Sequence, residues 1–495
     1  MHTILEDGRN ASLAHADKGA FLVDAANYYN AFMQAARMAR QSLFILGWDL
    51  DSRLVLNREA DMESSEREQI DAPAPLEDYD SIAFLSFLND LLAKNSELQI
   101  YILNWDYSMI YALEREAMAA IKFAWQSSER LHFRFDNNHP LGASHHQKVA
   151  VIDDSIGFCG GIDLTGQRWD TRAHSTDGLG RQRPDGGAYD AFHDIQTMVS
   201  GEAARWLGQL ARNRWQRACG EVIRPTPSRN IWPPGLQTDF QDVRVGLVRD
   251  PEWEDRPSVQ ENLSLFGDAI ARARHSIYIE NQYFTSDAVA GFLEESLHQE
   301  SGPEIVIVTP KACPGWLEEA TMGTLRHRIV QRLRHADKHN RLRMYYPEVE
   351  GKDIFVHAKA MVVDDRFAFV TSANLSNRSM GLDTECGMAL DAYPPAVSSE
   401  QSSLRTDIMD AIVKFRNGLL AEHLGATLES VEQQLTQGSL IQTIESLQSK
   451  QRRLLPLETG SGTILDDIVP ELQLDPEKPI QVEKILEDFL PIGEK

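Results

Sequence analysis

Apolar residues in the first third of the chain alternate between helical spacing and short continuous runs. Tyr28, Phe32 and Ala35 recur at intervals of three or four residues, which predicts a helix, and the apolar run 42–46 that follows predicts a strand. The same order returns at 82–92, an amphipathic helix by its spacing, and at 98–103, a second strand. Helices and strands that alternate in this way are typical of a layered α/β fold.

A second region of the chain repeats this plan. Helical spacing and short apolar runs alternate through 262–273, 276–280, 288–299, 305–309, 322–335 and 342–346, and a long helix is predicted over 404–424. A proline-rich stretch, 224–235, is the expected joint between the two regions. The pattern therefore predicts two similar halves, residues 1–223 and 236–424, related by an internal two-fold. An acidic, glutamine- and leucine-rich tail, residues 425–495, with helical and irregular stretches, follows them.

Each half carries the same short motif, a histidine followed two residues later by a lysine and seven residues later by an aspartate. The first copy is His146, Lys148 and Asp153, and the second is His357, Lys359 and Asp364. Small residues stand 15 positions after each histidine (Gly161, Ser372), and side chains with a carbonyl oxygen stand 17 positions after it (Asp163, Asn374). One copy arises easily by chance, whereas two copies that share these downstream positions indicate a functional repeat. The competing interpretation is two unrelated buried hairpins, each with a hydrogen-bonded histidine.

The residues around each motif predict a strand, a tight turn and a return strand. The apolar runs 149–152 and 360–363 are the first strands, and 156–159 and 367–370 are the return strands. Residues two apart on a strand point to one face, so each histidine projects together with its lysine. A neutral imidazole beside a fixed ammonium suits an anion that bears a phosphoryl group. Asp153 and Asp364 fall in the turns, where a structural role is expected rather than direct catalysis.

Composition and charge narrow the classes of function. The formal charge of −25 over 495 residues disfavours a sequence-independent nucleic-acid binder and broad attraction to anionic membranes. The four cysteines are scattered without zinc-binding spacing and are expected to be free thiols of a reducing cytosol. The sequence contains no apolar run of about 18 residues and begins without the pattern of a secretory signal. We expect a cytoplasmic or peripheral membrane protein, with export by a signal-less secretion system as the open alternative.

The paired motifs resemble the two HKD motifs of the phospholipase D superfamily. Segments 47–50, 192–195 and 277–284 also match that family's pattern, and the resemblance extends over residues 21–424. It implies an α/β fold of two similar α/β/α sandwich halves, with one site between the two motifs. The chemistry that it implies is phosphodiester transfer through a phosphohistidine. No metal or other cofactor is expected, because two ammonium groups take the place of a cation.

The resemblance also implies which histidine has which role, and the chemistry suggests roles for the other motif residues. His146 is expected to be the nucleophile that attacks phosphorus, and His357 the general acid that protonates the leaving alcohol. Lys148 and Lys359 are expected to neutralise the non-bridging oxygens, and Asn374 to donate a hydrogen bond to them. The assignments of the two histidines follow the family, since the spacing of the residues does not distinguish them.

A catalytic histidine needs a carboxylate on its other ring nitrogen to fix the tautomer. Glu385 follows His357 by 28 residues and stands where the family places the partner of that histidine. The first half has His174 at this offset, so the correspondence fails there, and Asp194 is the substitute expected for His146. The loop 171–188, rich in glycine, arginine and aspartate, is predicted to be either a substrate lid or a solvated insertion.

These expectations describe a phospholipase D that hydrolyses a glycerophospholipid, with phosphatidylcholine as the expected substrate, to phosphatidic acid and the head-group alcohol. A phosphatidyltransferase of the cardiolipin synthase kind, with a lipid alcohol as acceptor, is the main alternative. A nuclease is disfavoured by the acidity, and a scaffold with inactive motifs is disfavoured by the two complete motifs. The expected partner is a phospholipid at a membrane surface, contacted transiently by a monomer that binds no nucleic acid.

Overall fold

A computed structural model describes residues 3–58, 82–106, 128–178, 180–250, 260–315, 318–393, 403–458 and 475–478. The first half contains β1 (Ser12–Val23), α1 (Ala25–Arg37), β2 (Ser42–Gly47), α2 (Phe84–Lys94), β3 (Gln99–Trp105), β4 (Leu131–Asp136), β5 (Val149–Ile152), β6 (Ile156–Gly160), β7 (Phe192–His193), β8 (Ile195–Gly201) and α3 (Glu202–Cys219). The helices and strands that the hydrophobic pattern predicts coincide with α1, β2, α2 and β3. β1 precedes all of them and was not predicted.

The second half repeats this series of elements. It contains β9 (Phe240–Asp250), α4 (Glu261–Arg272), β10 (Ser276–Asn281), α5 (Asp287–His298), β11 (Glu304–Val308), α6 (Thr324–Ala336), β12 (Leu342–Val349), β13 (Lys352–Asp353), β14 (Phe355–Val356), β15 (Lys359–Val363), β16 (Phe367–Thr371), α7 (Asn377–Gly381), β17 (Glu385–Asp391) and α8 (Thr406–Leu424). A π-helical turn, Glu319–Gly323, leads into α6.

The two halves share one continuous sheet with the same strand order on each side of its centre. The order runs β4-β3-β2-β5-β6-β8-β1 through the first half and then β9-β17-β16-β15-β10-β11-β12 through the second. β1 and β9 are antiparallel neighbours at the centre. Within each half the outer strands are parallel, from β2 to β4 and from β10 to β12, and the others are antiparallel. This arrangement confirms the α/β fold class, while the boundaries at 223, 236 and 424 remain a prediction.

Helices cover both faces of the sheet. Side chains alternate along β2, so Leu43 and Ile45 pack with α1 and α2, whereas Phe44 and Leu46 pack in the cluster that contains α3 and α8. In the second half, α4, α5 and α6 form a further cluster with β10 and β11. A sheet buried on both faces explains why its strands are continuous apolar runs rather than alternating ones.

Two short pairings join the halves beside the motifs. β7 pairs in parallel with β14, which places His193 opposite Val356. His145 forms an isolated bridge with Thr384. Each pairing brings a segment of one half next to the motif of the other half. Residues from both halves therefore surround each motif histidine.

The described part of the tail packs on the second half. Its elements are α9 (Leu428–Gln437), α10 (Leu440–Ser446) and β18 (Arg452–Pro456), and β18 pairs with β12. Residues 459–474 and 479–495, on which the prediction of further helical and irregular stretches falls, lie outside the described residues. Among the helices that the structure describes, none is long and apolar enough to cross a membrane.

Candidate active site

The two motifs lie at the start of equivalent strands near the middle of the sheet. Lys148 immediately precedes β5, and Lys359 is the first residue of β15. The histidines stand two residues earlier, where their backbone N–H groups bind the opposite half. His146 N donates to Thr384 O at 3.0 Å, and His357 N donates to His193 O at 2.7 Å. The motifs are thus held together by main-chain hydrogen bonds that cross between the halves.

Each imidazole also has a carboxylate from the opposite half on its Nδ1. His146 Nδ1 lies 3.0 Å from Glu385 Oε2, and His357 Nδ1 lies 2.6 Å from Asp194 Oδ2. A carboxylate accepts a hydrogen bond from Nδ1–H, and in a neutral imidazole this leaves the lone pair on Nε2. The two side chains keep exposed fractions of 12% and 9%, so a solute can reach both rings.

The pairing expected from the sequence is therefore wrong. Glu385 was expected beside His357 and Asp194 beside His146, and the structure exchanges them. The cause is the crossed backbone pairing, because β7 delivers Asp194 to the second motif and the Thr384 bridge delivers Glu385 to the first.

The connection after β6 explains why the offset of 28 residues fails in the first half. Asp194 follows His146 by 48 residues, whereas Glu385 follows His357 by 28, because the connection from β6 to β8 is longer than that from β16 to β17. His174, at the offset of 28, lies in this longer connection and pairs with other groups. The structure thus places Asp194, not His174, at the position equivalent to Glu385.

The small residues after the motifs make room for these carboxylates. A Cβ added to Gly161 would lie 2.1 Å from Asp194 Oδ1, so this position tolerates only glycine while Asp194 holds His357. At the equivalent position, Ser372 Oγ donates to Glu385 Oε2 at 2.5 Å. Ser372 therefore holds the carboxylate of one histidine, and the two halves of the site are not equivalent, as the sequence indicates.

The two motif lysines are buried and have different partners. Lys148 Nζ lies 3.0 Å from Asp163 Oδ2 and donates to His146 O at 2.9 Å. Lys359 Nζ donates to Gln282 Oε1 at 3.1 Å and to the carbonyl of His357. A carboxylate therefore balances the charge of Lys148, while these hydrogen bonds of Lys359 go to neutral oxygens.

Asn374 stands at the position equivalent to Asp163. Its side chain is 8% exposed, and its Oδ1 is buried without a hydrogen-bond partner. The substitution of a neutral amide for the carboxylate of Asp163 leaves the second half of the site more positive than the first. This surplus of positive charge favours the binding of an anion. The oxygen atoms of such an anion can accept hydrogen bonds from the site.

Shifted pKa values show that positive charges converge on His357. Burial lowers its pKa well below the ordinary value, and the charges of Lys359, Arg168, Lys148 and His146 lower it further. The action of His146 and Lys148 on His357 shows that both motifs contribute to one site. In the absence of an anion, this cluster of cations keeps His357 neutral.

Lys359 and Asp194 are also shifted from their ordinary values. Burial lowers the pKa of Lys359 to about 7, against the attraction of Asp194 and Glu385. Burial raises the pKa of Asp194 to about 7, although Lys359 opposes that shift. Ionisable groups shifted toward neutral pH by burial are frequent in active sites.

Arg168 is a cation of this site that the sequence analysis missed. Its charge acts on His357, Lys359 and Asp194, and its guanidinium lies 4.8 Å from the centre of the Phe192 ring. It belongs to neither motif, and no spacing rule relates it to one. Only the pairing of β7 with β14 reveals its proximity to the second histidine.

The motif aspartates lie at the other end of their strands and bind backbone. Asp153 accepts hydrogen bonds from the N–H groups of Arg40, Gln41 and Ser42 at 2.7 to 2.8 Å. Asp364 makes the equivalent bonds, at 2.6 to 3.0 Å, to the residues that lead into β10. Both stand in left-handed turns, with φ of 46° and 50°. This geometry favours the structural role expected from their position in the turns.

Replacing Asp153 with asparagine is expected to lower the free energy of unfolding by about 3 kcal/mol. The NH₂ group of asparagine would replace one of the two acceptor oxygens and would face backbone N–H groups that then lack an acceptor. Asp242→Asn is the matched control, since Asp242 also has a positive φ, of 51°, and its side chain is 85% exposed. Urea unfolding of both variants measures the difference. Equal losses in the two variants would contradict the structural role.

Comparisons with known proteins agree with this geometry. A sequence profile for the family described as "Cardiolipin synthase, PLD-like domain" matches residues 267–402. The chain is 24% identical over 475 residues to phospholipase D A of Dictyostelium discoideum, covering 81% of this chain and 35% of that protein. It is 26% identical over 402 residues to phospholipase D alpha 1 of Carica papaya, covering 57% and 49%. The chain thus spans half or less of the length of these curated relatives.

The fold also matches a solved structure. The crystal structure of phosphatidylserine synthase from Haemophilus influenzae Rd KW20 covers 87% of this chain and 94% of its own at a TM-score of 0.50 and 12% identity. The curated relatives are named as phospholipases D, and this chain has a duplicated α/β fold with paired histidine–lysine motifs. The profile match and the curated relatives support membership of the phospholipase D superfamily, and the solved structure supports the fold.

Proposed function

We propose that this protein is a phospholipase D that hydrolyses a glycerophospholipid, with phosphatidylcholine as the expected substrate, to phosphatidic acid and the head-group alcohol. The observation that carries the proposal is the pair of crossed carboxylate–histidine contacts. They direct the Nε2 atoms of His146 and His357 away from their carboxylates and toward the cationic site. A phosphodiester is the anion that two such imidazoles and two ammonium groups can both bind and cleave.

In the first step of the proposed reaction, His146 Nε2 attacks phosphorus and forms a P–N bond. The P–O bond to the head group breaks, and its oxygen takes the proton from Nε2 of a protonated His357. The negative charge of the bound phosphodiester opposes the cations that lower the pKa of His357, so substrate binding favours the protonated acid. Lys148, Lys359 and Asn374 stabilise the charge on the non-bridging oxygens.

In the second step, His357 Nε2 takes a proton from water as the water oxygen attacks phosphorus. The P–N bond breaks, phosphatidic acid leaves, and His146 recovers its lone pair. The same two groups serve both steps, since the acid that protonates the leaving alcohol becomes the base that activates water. Asp194 and Glu385 hold the two rings throughout by their Nδ1 atoms.

A phosphatidyltransferase is the second candidate function. The profile that matches residues 267–402 is described as cardiolipin synthase, PLD-like domain, which favours this alternative. The chemistry differs only in the acceptor of the second step, where a lipid alcohol replaces water. A nuclease would use the same site, but the charge of −25 opposes binding to a polyanion.

Incubation with phosphatidylcholine, phosphatidylglycerol and plasmid DNA, without added divalent metal, tests these functions together. We expect choline and phosphatidic acid as products, identified by mass spectrometry, because the site is built for one phosphodiester and water is the abundant acceptor. His146→Asn is the control for activity that does not come from this site. Cardiolipin as the main product would instead support the transferase, and nicked DNA without lipid products would overturn both lipid functions.

A further inference from the structure

A second cluster of ionisable side chains lies behind the active site, and the proposed reaction does not use it. Its central members are Asp24, His174, His193 and Glu422, and each is at most 6% exposed. Asp24 precedes α1, His174 lies in the connection after β6, His193 ends β7, and Glu422 lies in the last turn of α8. The cluster thus joins the first half to the last helix of the second half.

One ligand atom from each residue can be chosen so that all four lie within 4.8 Å of one another. His174 Nε2 lies 3.0 Å from Glu422 Oε1 and 3.7 Å from Asp24 Oδ2. His193 Nδ1 lies 2.9 Å from Glu422 Oε1 and 3.0 Å from Asp24 Oδ1. Four ligands at ordinary zinc distances stand about 3.3 Å apart at the corners of a tetrahedron. The separations of His174 Nε2 and His193 Nδ1 from Glu422 Oε1 are somewhat shorter than that edge, and the two distances to Asp24 end at different oxygens of its carboxylate.

The orientation of these atoms also indicates a ligand at the centre. His193 Nδ1 is close to both carboxylates, yet it makes a hydrogen bond of normal geometry with neither. Asp24 Oδ2 is buried without a hydrogen-bond partner as well. Two polar atoms of residues with 0% exposure thus lack a hydrogen-bond partner within the cluster, where a cation could bind them.

A second layer of carboxylates fixes the two imidazoles. His174 Nδ1 lies 2.9 Å from Asp170 Oδ2, and His193 Nε2 lies 2.8 Å from Glu280 Oε2. Histidines that bind a metal almost always give their other ring nitrogen to a carboxylate, a carbonyl or water. Both histidines of the cluster have that partner. The connection after β6 is therefore anchored to the core at His174.

Two protons on the imidazoles carry the same charge as one divalent cation, so charge balance alone does not identify the occupant. Geometry separates the two states. A protonated His193 Nδ1 needs an acceptor in hydrogen-bonding geometry, and neither neighbouring oxygen provides it, whereas His174 Nε2 has such a contact with Glu422 Oε1. A metal ion, in contrast, sits between the ligand atoms and requires each lone pair to point at a common centre.

We propose that Asp24, His174, His193 and Glu422 bind one divalent transition-metal ion of the zinc type in a closed structural site. Two imidazole nitrogens and two carboxylate oxygens form a ligand set that zinc accepts, and burial leaves no open position for substrate. The ion lies outside the phosphoryl site and takes no part in the proposed reaction.

The site would set the position of catalytic groups through β7. His193 accepts the backbone hydrogen bond of His357 at 2.7 Å, and the next residue, Asp194, holds the ring of His357. A metal bound to His193 would fix this strand, and through Glu422 it would tie α8 to it. The expected consequence of metal loss is a lower melting temperature together with a less ordered active site.

Metal analysis of the full chain, purified without a polyhistidine tag, tests the proposal. After equilibration with Zn²⁺ and extensive dialysis, we expect one equivalent of zinc per chain by plasma mass spectrometry. His174→Gln is expected to lose most of it. His145→Gln is the matched control and should keep it, because His145 is another buried histidine paired with a carboxylate, Asp136, outside the cluster.

Cobalt gives a second readout that does not depend on the variants. The Co²⁺-loaded protein should show the intense visible bands of a tetrahedral ion, and X-ray absorption should find nitrogen and oxygen ligands that include two imidazoles. A chain that retains no metal after dialysis would overturn the proposal, as would a six-coordinate or sulfur-ligated ion. Equal zinc content in His174→Gln and the control would overturn it too. Lipid turnover enters none of these readouts, so the outcome is independent of the proposed function.

Discussion

Replacing His146 with asparagine is expected to abolish turnover of phosphatidylcholine and of an activated lipid ester that has p-nitrophenol as its leaving group. A nucleophile is needed whichever alcohol departs, so kcat should fall by at least about 10⁴-fold on both substrates. No burst of p-nitrophenolate and no phosphorylated protein should form. Asparagine keeps a hydrogen-bonding group near Glu385, which limits the change to the loss of the ring.

His357→Asn is expected to separate the two steps. Turnover of phosphatidylcholine should fall by about 10²- to 10⁴-fold, because choline then leaves without a proton. p-Nitrophenolate needs no acid, so this variant should still release one equivalent in a burst and accumulate a phosphohistidine at residue 146. Rapid-mixing absorbance and peptide mass spectrometry measure the burst and the labelled residue.

The environment of His357 also supports the reverse assignment, in which His357 is the nucleophile and His146 is the general acid. Burial and the surrounding cations lower its pKa, so the substrate-free site holds a neutral imidazole that could itself attack phosphorus. If His357 were the nucleophile, His146→Asn would show the burst and the label would appear on His357. If the His357→Asn variant turned over natural lipid at the wild-type rate, His357 would be neither the general acid nor the nucleophile.

The local elements of this fold could be predicted from the sequence because they depend on short-range patterns. The apolar runs around each motif are β5, β6, β15 and β16, and the turn residues between them have the positive φ that such turns require. Helical spacing likewise located α1 and α2. The pairing of β1 with β9, which makes one sheet of the two halves, joins segments more than 200 residues apart and leaves no local pattern.

The site shows the same division between local and long-range information. The histidine–lysine pairs follow from spacing along one strand. Which carboxylate serves which histidine depends on the crossing of β7 and the Thr384 bridge between halves, and an offset along the chain carries no information about that crossing. Arg168 and the cluster around His193 depend on the same crossing. Segments 192–195 and 277–284 were recognised from the family resemblance, but the contact between His193 and Glu280 was not.

Removing the charge of either crossed carboxylate is expected to slow the reaction strongly. Glu385→Gln and Asp194→Asn should each lower kcat by about 10²- to 10⁴-fold with little change in KM. Neither carboxylate contacts substrate in the proposed reaction, so the loss should fall on the chemical steps. An amide can donate to Nδ1 and so leave the proton on Nε2, the wrong tautomer for attack, and it does not stabilise an imidazolium.

Because each carboxylate contacts the histidine of the opposite half, the two variants are expected to slow different steps. Glu385 holds His146, so Glu385→Gln should suppress the burst of p-nitrophenolate, although Glu385 belongs to the other half of the chain. Asp194 holds His357, so Asp194→Asn should keep the burst and slow the release of phosphatidic acid that follows. Stopped-flow traces of the activated ester separate the two phases.

The conservative variants Glu385→Asp and Asp194→Glu are the controls for a purely structural effect. They keep the charge and change only the reach of the side chain, so each should recover part of the phase that its amide variant loses. A burst lost in Asp194→Asn and kept in Glu385→Gln would mean that each carboxylate serves the histidine of its own half. In that case the crossed contacts would not govern the reaction, and the tautomer argument for both histidines would fail with them.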